Sequence, residues 1–210
     1  VTTKGIIFSA PMVRALLDGR KTQTRRLCAW PNNPNSPALS YIVAGDEPGW
    51  FGDEEGEVQF KAGYVSGDRL YVRENWQALS FGDYTPTKYR PAEIRYAASD
   101  PLATLSVENR GYPYRPCIHM RRCDSRLWLA VTDVRVQKLK DISAADAVAE
   151  GIDASAASHF GSPIKAYAAL WDSLHGADGT TWADNPWIVA LSFAVHHGNV
   201  DALPGVPGNG

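Results

Sequence analysis

The chain has 210 residues, a formal net charge of −2 and a hydrophobic fraction of 44%, ordinary values for a globular protein that builds its own core. Near-neutral charge argues against wholesale coating of nucleic acid but leaves a local basic patch at Arg14, Arg20, Lys21, Arg25 and Arg26. No stretch approaches the ~20 apolar residues that span a bilayer, and no apolar signal segment follows Lys4, so the expectation is a cytoplasmic protein with no membrane partner.

Gly5 to Phe8 is a short apolar run that reads as a first strand. Ser9 offers an N-cap, Pro11 suits a first helical turn, and Met12, Ala15, Leu16 and Leu17 form a helical stripe that Gly19 ends. Residues 30–64 are rich in Pro, Asn, Gly and acids and read as a long irregular insertion; residues 77–114 read as a second. Between them, Arg69-Leu70-Tyr71-Val72-Arg73 alternates like a strand. Ala92 to Ala97 is another strand candidate. Leu127 to Val136 is the clearest strand, with a slip of parity near Thr132-Asp133 that suggests a bulge.

Ser143 with Asp146 three residues on resembles a capping box opening a helix that Gly151 stops. A longer helix is expected over Pro163 to Leu174, with Ile164, Tyr167, Ala168, Trp171 and Leu174 on its buried face. Trp187 to Val195 is apolar enough for a central strand. The tail 198–210 reads as disordered. The sum is an α+β fold: one domain over 1–197 with two insertions, built on a small, barrel-like mixed sheet with short flanking helices.

The segment Gly19-Arg20-Lys21-Thr22-Gln23-Thr24-Arg25-Arg26 is the chemically densest part of the chain. Its bland reading is a basic turn feeding a strand. Its functional reading is a threonine hydroxyl activated by a neighbouring lysine, beside cations that hold an anionic or carbonyl-rich ligand. Glu150 stands in the last turn of a helix, where the macrodipole disfavours an acid by roughly 0.3–1 kcal/mol. That misfit marks it above the solvated Asp53-Glu54-Glu55 run. Glu74 and Trp76 close a strand and could line a pocket, Trp76 by stacking on a base and Glu74 by accepting from an exocyclic amine. Cys28, Cys117 and Cys123 read as reduced thiols; Cys117, His119 and Cys123 lack the second tight pair of a zinc site, so neither a metal nor a cofactor is expected.

These blocks together resemble the ASCH domain, part of the PUA-like superfamily, and its phage and prophage group in particular. The resemblance rests on Phe8-Ser9-Ala10-Pro11-Met12-Val13, on Gly19 to Arg26, on Gly67 to Trp76, on Ile118-His119-Met120, on Ser125-Arg126, on Val131 to Val136, on Asp141 to Ile152, and on Asn185-Pro186-Trp187. It implies a PUA-like pseudo-barrel, a fold that usually binds RNA or a nucleobase. Compact bacterial members are amidohydrolases that cleave N(4)-acetylcytidine to cytidine and acetate with a Lys and a Thr in a G-x-K-T-x-T-x-R segment and a Glu on a later helix. Carried over residue by residue, the resemblance implies Lys21, Thr24 and Glu150 as the catalytic set, with Arg26 and Thr22 at the substrate. In a regular strand Lys21 and Thr24 would face opposite sides, so the chemistry needs a turn between them. The partner expected is a small nucleoside or modified base. The competing reading is a binding module for RNA, single-stranded DNA or a modified base, without turnover; nuclease activity ranks below both, because no cluster of metal-binding carboxylates is evident.

Overall fold

In the computed structural model, which describes residues 2–28, 39–82, 85–88, 91–176 and 180–202, two long strands carry most of the main sheet. These are β9 (Leu127–Lys138) and β10 (Trp187–His197). With β1 (Thr3–Ile7), β2 (Gln23–Leu27) and β6 (Arg69–Arg73) they form a five-stranded mixed sheet in the order β1-β6-β9-β10-β2. The fold is therefore α+β, and no closed barrel forms among the described residues.

The chain divides into two compact units. One comprises Gly19–Asp68 and Val131–Ala194; the other comprises Thr2–Asp18, Arg69–Ala130 and the residues from Val195 on.

The second unit holds β1, α1 (Ala10–Leu17), β6, the hairpin pair β7 (Trp76–Leu79) and β8 (Glu93–Tyr96), and the short helix α2 (Val107–Arg110). Alternation explains β6: Leu70 and Val72 are buried while the arginines at either end are half-exposed. Strand β1 runs parallel to β6, with Gly5 opposite Tyr71. A Cβ at Gly5 would lie 2.9 Å from the Tyr71 ring and 2.8 Å from Arg73, so only glycine lets those side chains cross β1. The expected tail begins with an ordered turn: the Gly198 amide donates to the Arg126 carbonyl, and Val200 is fully buried in a single 3-10 turn. Residues 203–210 lie outside the described residues.

The first unit holds β2, a small antiparallel sheet of β3 (Val43–Ala44), β4 (Trp50–Gly52) and β5 (Gln59–Lys61), and the helices α3 (Ala144–Ala149), α4 (Ala154–Phe160) and α5 (Pro163–His175). The first insertion is thus partly sheet, where the sequence suggests irregular chain. Strands of two or three residues are too short to show a period of two. Helix α3 opens with the expected reciprocal box between Ser143 and Asp146. Its core face, with Ala147 buried, packs with Tyr167 and Trp171 of α5 and with Ile188 and Ala190 of β10. Leu174, expected on the buried face of α5, is 57% exposed: it is one turn past the last residue that the core reaches. Thr132 and Asp133 are both exposed, the slip of parity read from the sequence.

Candidate functional site

Helix α3 ends at Glu150, and Gly151 leaves it with a φ of 99°, a left-handed turn that suits glycine. The chain entering β2 docks onto this end. The Thr22 amide donates to the Ala149 carbonyl at 2.8 Å, and the Thr22 carbonyl accepts from the Phe193 amide of β10 at 2.9 Å. Those two bonds bring Lys21 over the helix terminus. Its Nζ donates to the Glu150 carbonyl at 2.7 Å and to Glu150 Oε2 at 2.7 Å. Lysine is a natural cap for helix-end carbonyls, but this one is enclosed: the side chains of Lys21 and Glu150 are 2% and 5% exposed.

The other carboxylate oxygen of Glu150 accepts from Arg25 Nη1 at 3.1 Å. Arg25 Nη2 lies 3.4 Å from Asp146, which also takes an ion pair from Arg135 at 3.7 Å. The Arg25 guanidinium stands 5.9 Å from the centre of the Tyr167 ring. The two acids are four residues apart on α3, so they share one face of the helix. The misplaced acid at the helix end is thus matched by two buried cations.

Burial pushes the Lys21 amine below the ordinary lysine range; Glu150 pulls it back by charge and hydrogen bond, and Arg26 and Arg25 push it down further. Burial also pushes the Tyr167 hydroxyl well up, with the charge of Glu150 adding to it. For Asp146, burial works upward, but hydrogen bonds from Gln23 and Ser143 and the charge of Arg25 hold the carboxyl below its usual range.

The residues expected at the site are distributed as follows. Lys21 and Glu150 meet directly, as the catalytic reading requires. Thr24 is buried in β2 and lies on the strand face opposite Arg25, with Arg26 sharing its parity. Lys21 Nζ and Arg25 Nη1 both reach Glu150, and the pairing with β10 continues at Thr22, so Thr24 lies on the strand face away from that carboxylate. Thr22 is exposed and contributes through its backbone.

Glu74 and Trp76 belong to the other unit. Arg126 holds Glu74 in a two-pronged pair at 2.9 and 3.0 Å, and burial raises the Glu74 carboxyl against that pull. The Trp76 ring, expected to stack on a base, is 1% exposed and packs with Ala78 and Met120.

Arg25, Asp146 and Tyr167 are the site's additional members. For two of them the signal is present in the sequence as spacing: Asp146 stands one turn before Glu150, and Arg25 shares its strand face with Gln23 and Leu27. Two cavities lie elsewhere. One of about 320 Å³ in the second unit is lined in part by Arg95, Arg110 and Tyr112, and one of about 290 Å³ in the first unit by Tyr41 and Asp53 to Glu55. Among the described residues no three His, Cys, Asp or Glu side chains are grouped to hold a metal. No protein-family model, curated protein or solved structure matches this chain.

Proposed function

We propose that the protein is an amidohydrolase that removes an acyl group from the N4 amine of a cytosine nucleoside or base, with Thr24 as nucleophile, Lys21 as proton acceptor and Glu150 as the residue that orients the lysine. The fold that goes with this reading is a PUA-like pseudo-barrel, as the resemblance of Gly19 to Arg26 and Asp141 to Ile152 to the ASCH domain implies. The single observation that supports it is the enclosed contact of Lys21 with Glu150 at 2.7 Å, between residues 129 positions apart. A buried ion pair is a poor device for stability, because desolvation offsets much of its attraction. Buried pairs with a displaced lysine pKa are a common mark of sites that move protons.

The reaction runs in two halves. Thr24 Oγ attacks the acyl carbonyl and its proton passes to Lys21 Nζ. The tetrahedral intermediate expels the N4 amine, which takes that proton from Lys21 and leaves as cytosine. Water, deprotonated by Lys21, then attacks the Thr24 ester; the bond to Oγ breaks, Thr24 regains a proton, and the carboxylic acid departs. In this reading Arg26 offsets the negative charge on the carbonyl oxygen in both steps. Glu150 has each oxygen on a cation, Oε2 on Lys21 and Oε1 on Arg25, so its part is to hold and orient rather than to donate a proton. A neutral amine has two N–H groups, and the Glu150 carboxylate and carbonyl offer two acceptors at 2.7 Å. Because Thr24 lies on the β2 face away from Glu150, the reading requires Thr24 Oγ and Lys21 Nζ to move within hydrogen-bond reach once substrate is bound.

The test is incubation with a panel of N(4)-acylcytidines and related amides, followed by chromatography for free cytidine. Turnover by the parent that vanishes in Thr24→Ala supports the assignment. Binding of the nucleoside without any release of cytidine would replace it with a reader of modified bases.

A further inference from the structure

The proposed chemistry occupies Lys21, Thr24, Arg26 and Glu150 and leaves Arg25 without a part. Yet Arg25 is the most enclosed cation of the cluster, with a fully buried side chain. Its Nη1 donates to Glu150 Oε1 at 3.1 Å and to Gln23 Oε1 at 3.3 Å, and its Nη2 lies 3.4 Å from Asp146. Among the described residues, its Nε and Nη2 have no hydrogen-bond acceptor. A buried guanidinium cannot shed its charge as a lysine can, and unfilled N–H positions cost stability. As a mere counter-charge for Glu150 it would be redundant, since Lys21 already pairs with that carboxylate.

We propose that Arg25 is a positioning residue: it takes one oxygen of Glu150, confines Lys21 to the other, and so keeps Lys21 able to accept a proton. Its consequence for turnover rests on the amidohydrolase reading; its effect on Lys21 does not. A carboxylate facing a lone lysine holds the ammonium proton tightly. A second fixed cation on the same carboxylate weakens that hold. Glu150, at the end of α3, and Arg25 and Arg26 from β2 act on Lys21 directly. Asp146 from α3 and Tyr167 from α5 face Arg25, and Arg135 from β9 pairs with Asp146, so these three meet the cluster through Arg25 and Asp146. Burial and the two β2 arginines push Lys21 one way and Glu150 pushes it the other. The planar fork of arginine suits the place because it reaches both acids of the α3 face.

The experiment uses the full chain and the variants Arg25→Gln, Arg25→Met and Arg25→Lys. It reads the midpoint of the acid limb of N(4)-acetylcytidine hydrolysis. Separately, it reads the midpoint of the Lys21 Nζ titration by nitrogen NMR, with Lys21→Met to assign the signal. In Arg25→Gln both midpoints rise by about one pH unit, and in Arg25→Lys, which keeps a cation there, they rise by less. Arg25→Met, apolar and of similar length beside Tyr167, serves if Arg25→Gln fails to fold. A Nζ midpoint that stays put in both neutral variants overturns the proposal, even where the parent hydrolyses its substrate. A Nζ midpoint that rises in a protein with no turnover upholds the proposal and removes the amidohydrolase reading instead. If both neutral variants lose the folded state while Arg25→Lys keeps it, Arg25 is a structural charge and the proposal falls.

Discussion

Replacing Glu150 with glutamine removes one buried anion and leaves two buried cations. The Lys21 and Arg25 side chains are 2% and 0% exposed, so water cannot take over either charge. Breaking a buried pair from one side costs about 3–5 kcal/mol. Two features place this site at the lower end of that range. Lys21 can lose its proton, and Asp146, 3.4 Å from Arg25, still offsets the guanidinium. At about 3 kcal/mol, and with about 2–4 °C per kcal/mol for a chain of this size, the melting temperature at neutral pH should fall by about 6–12 °C. The deficit also depends on pH. Glu150 raises the Lys21 pKa in the parent, so without it the folded-state value drops further below the ordinary lysine value. Between those two values the unfolded chain binds more protons than the folded one, so stability climbs with pH, and it climbs over a wider window in the variant. The gap between parent and Glu150→Gln should therefore narrow as pH rises from neutral toward the ordinary lysine value. Thermal unfolding at a series of pH values measures both effects. A variant that melts within about 1 °C of the parent, with a gap that ignores pH, would refute the view that this pair carries buried charge.

Lys21→Met should lower turnover of N(4)-acetylcytidine by about 10²–10⁴-fold, the usual worth of a general base, while calorimetry shows nucleoside binding within a few fold of the parent. Thr24→Ser keeps a hydroxyl and should retain measurable activity, whereas Thr24→Ala should release no cytidine; a parental rate in Thr24→Ala would remove Thr24 as nucleophile. In the second unit, Asp100 accepts from the Tyr112 and Tyr114 hydroxyls at 2.6 and 2.5 Å. Burial works upward on that carboxyl, but the two hydroxyls, the Leu102 amide and Arg95 bring it below its usual range. Its contribution is therefore fully present above the ordinary aspartate value and is lost as pH falls through the lowered one. Asp100→Asn should cost about 1.5–3 kcal/mol at neutral pH, and acid-unfolding curves of parent and variant should converge at low pH. Curves that stay parallel down to acid would show that the carboxylate form does not matter there.

Local signals determined much of this protein before any tertiary contact formed. Ser143, Asp146 and Gly151 bound helix α3 because capping and left-handed exits depend on neighbours within one turn. Leu70 and Val72 mark β6 because alternation needs only a few residues, and Trp187 to Leu191 mark a strand with a neighbour on each side because every position is apolar. The acid at the end of α3 was visible as a misfit with the helix dipole, and Lys21 as part of a dense cationic segment. The small sheet of β3, β4 and β5 was not legible, since its two- and three-residue strands hold no period.

Only the tertiary structure decided what the cations do. Arg25 and Arg26 are adjacent and chemically identical, so composition cannot rank them. The pairing of β2 with β10, which sets Arg25 opposite Ala190 and Thr24 opposite Leu191, turns Arg25 toward Glu150 and leaves Thr24 on the other face. A shift of one residue in that register would exchange them, because side chains alternate along a strand. The meeting of Lys21 with Glu150 likewise depends on the Thr22 amide finding the Ala149 carbonyl. Such contacts link positions more than a hundred residues apart, and they arise from how the core packs rather than from anything written locally around either residue.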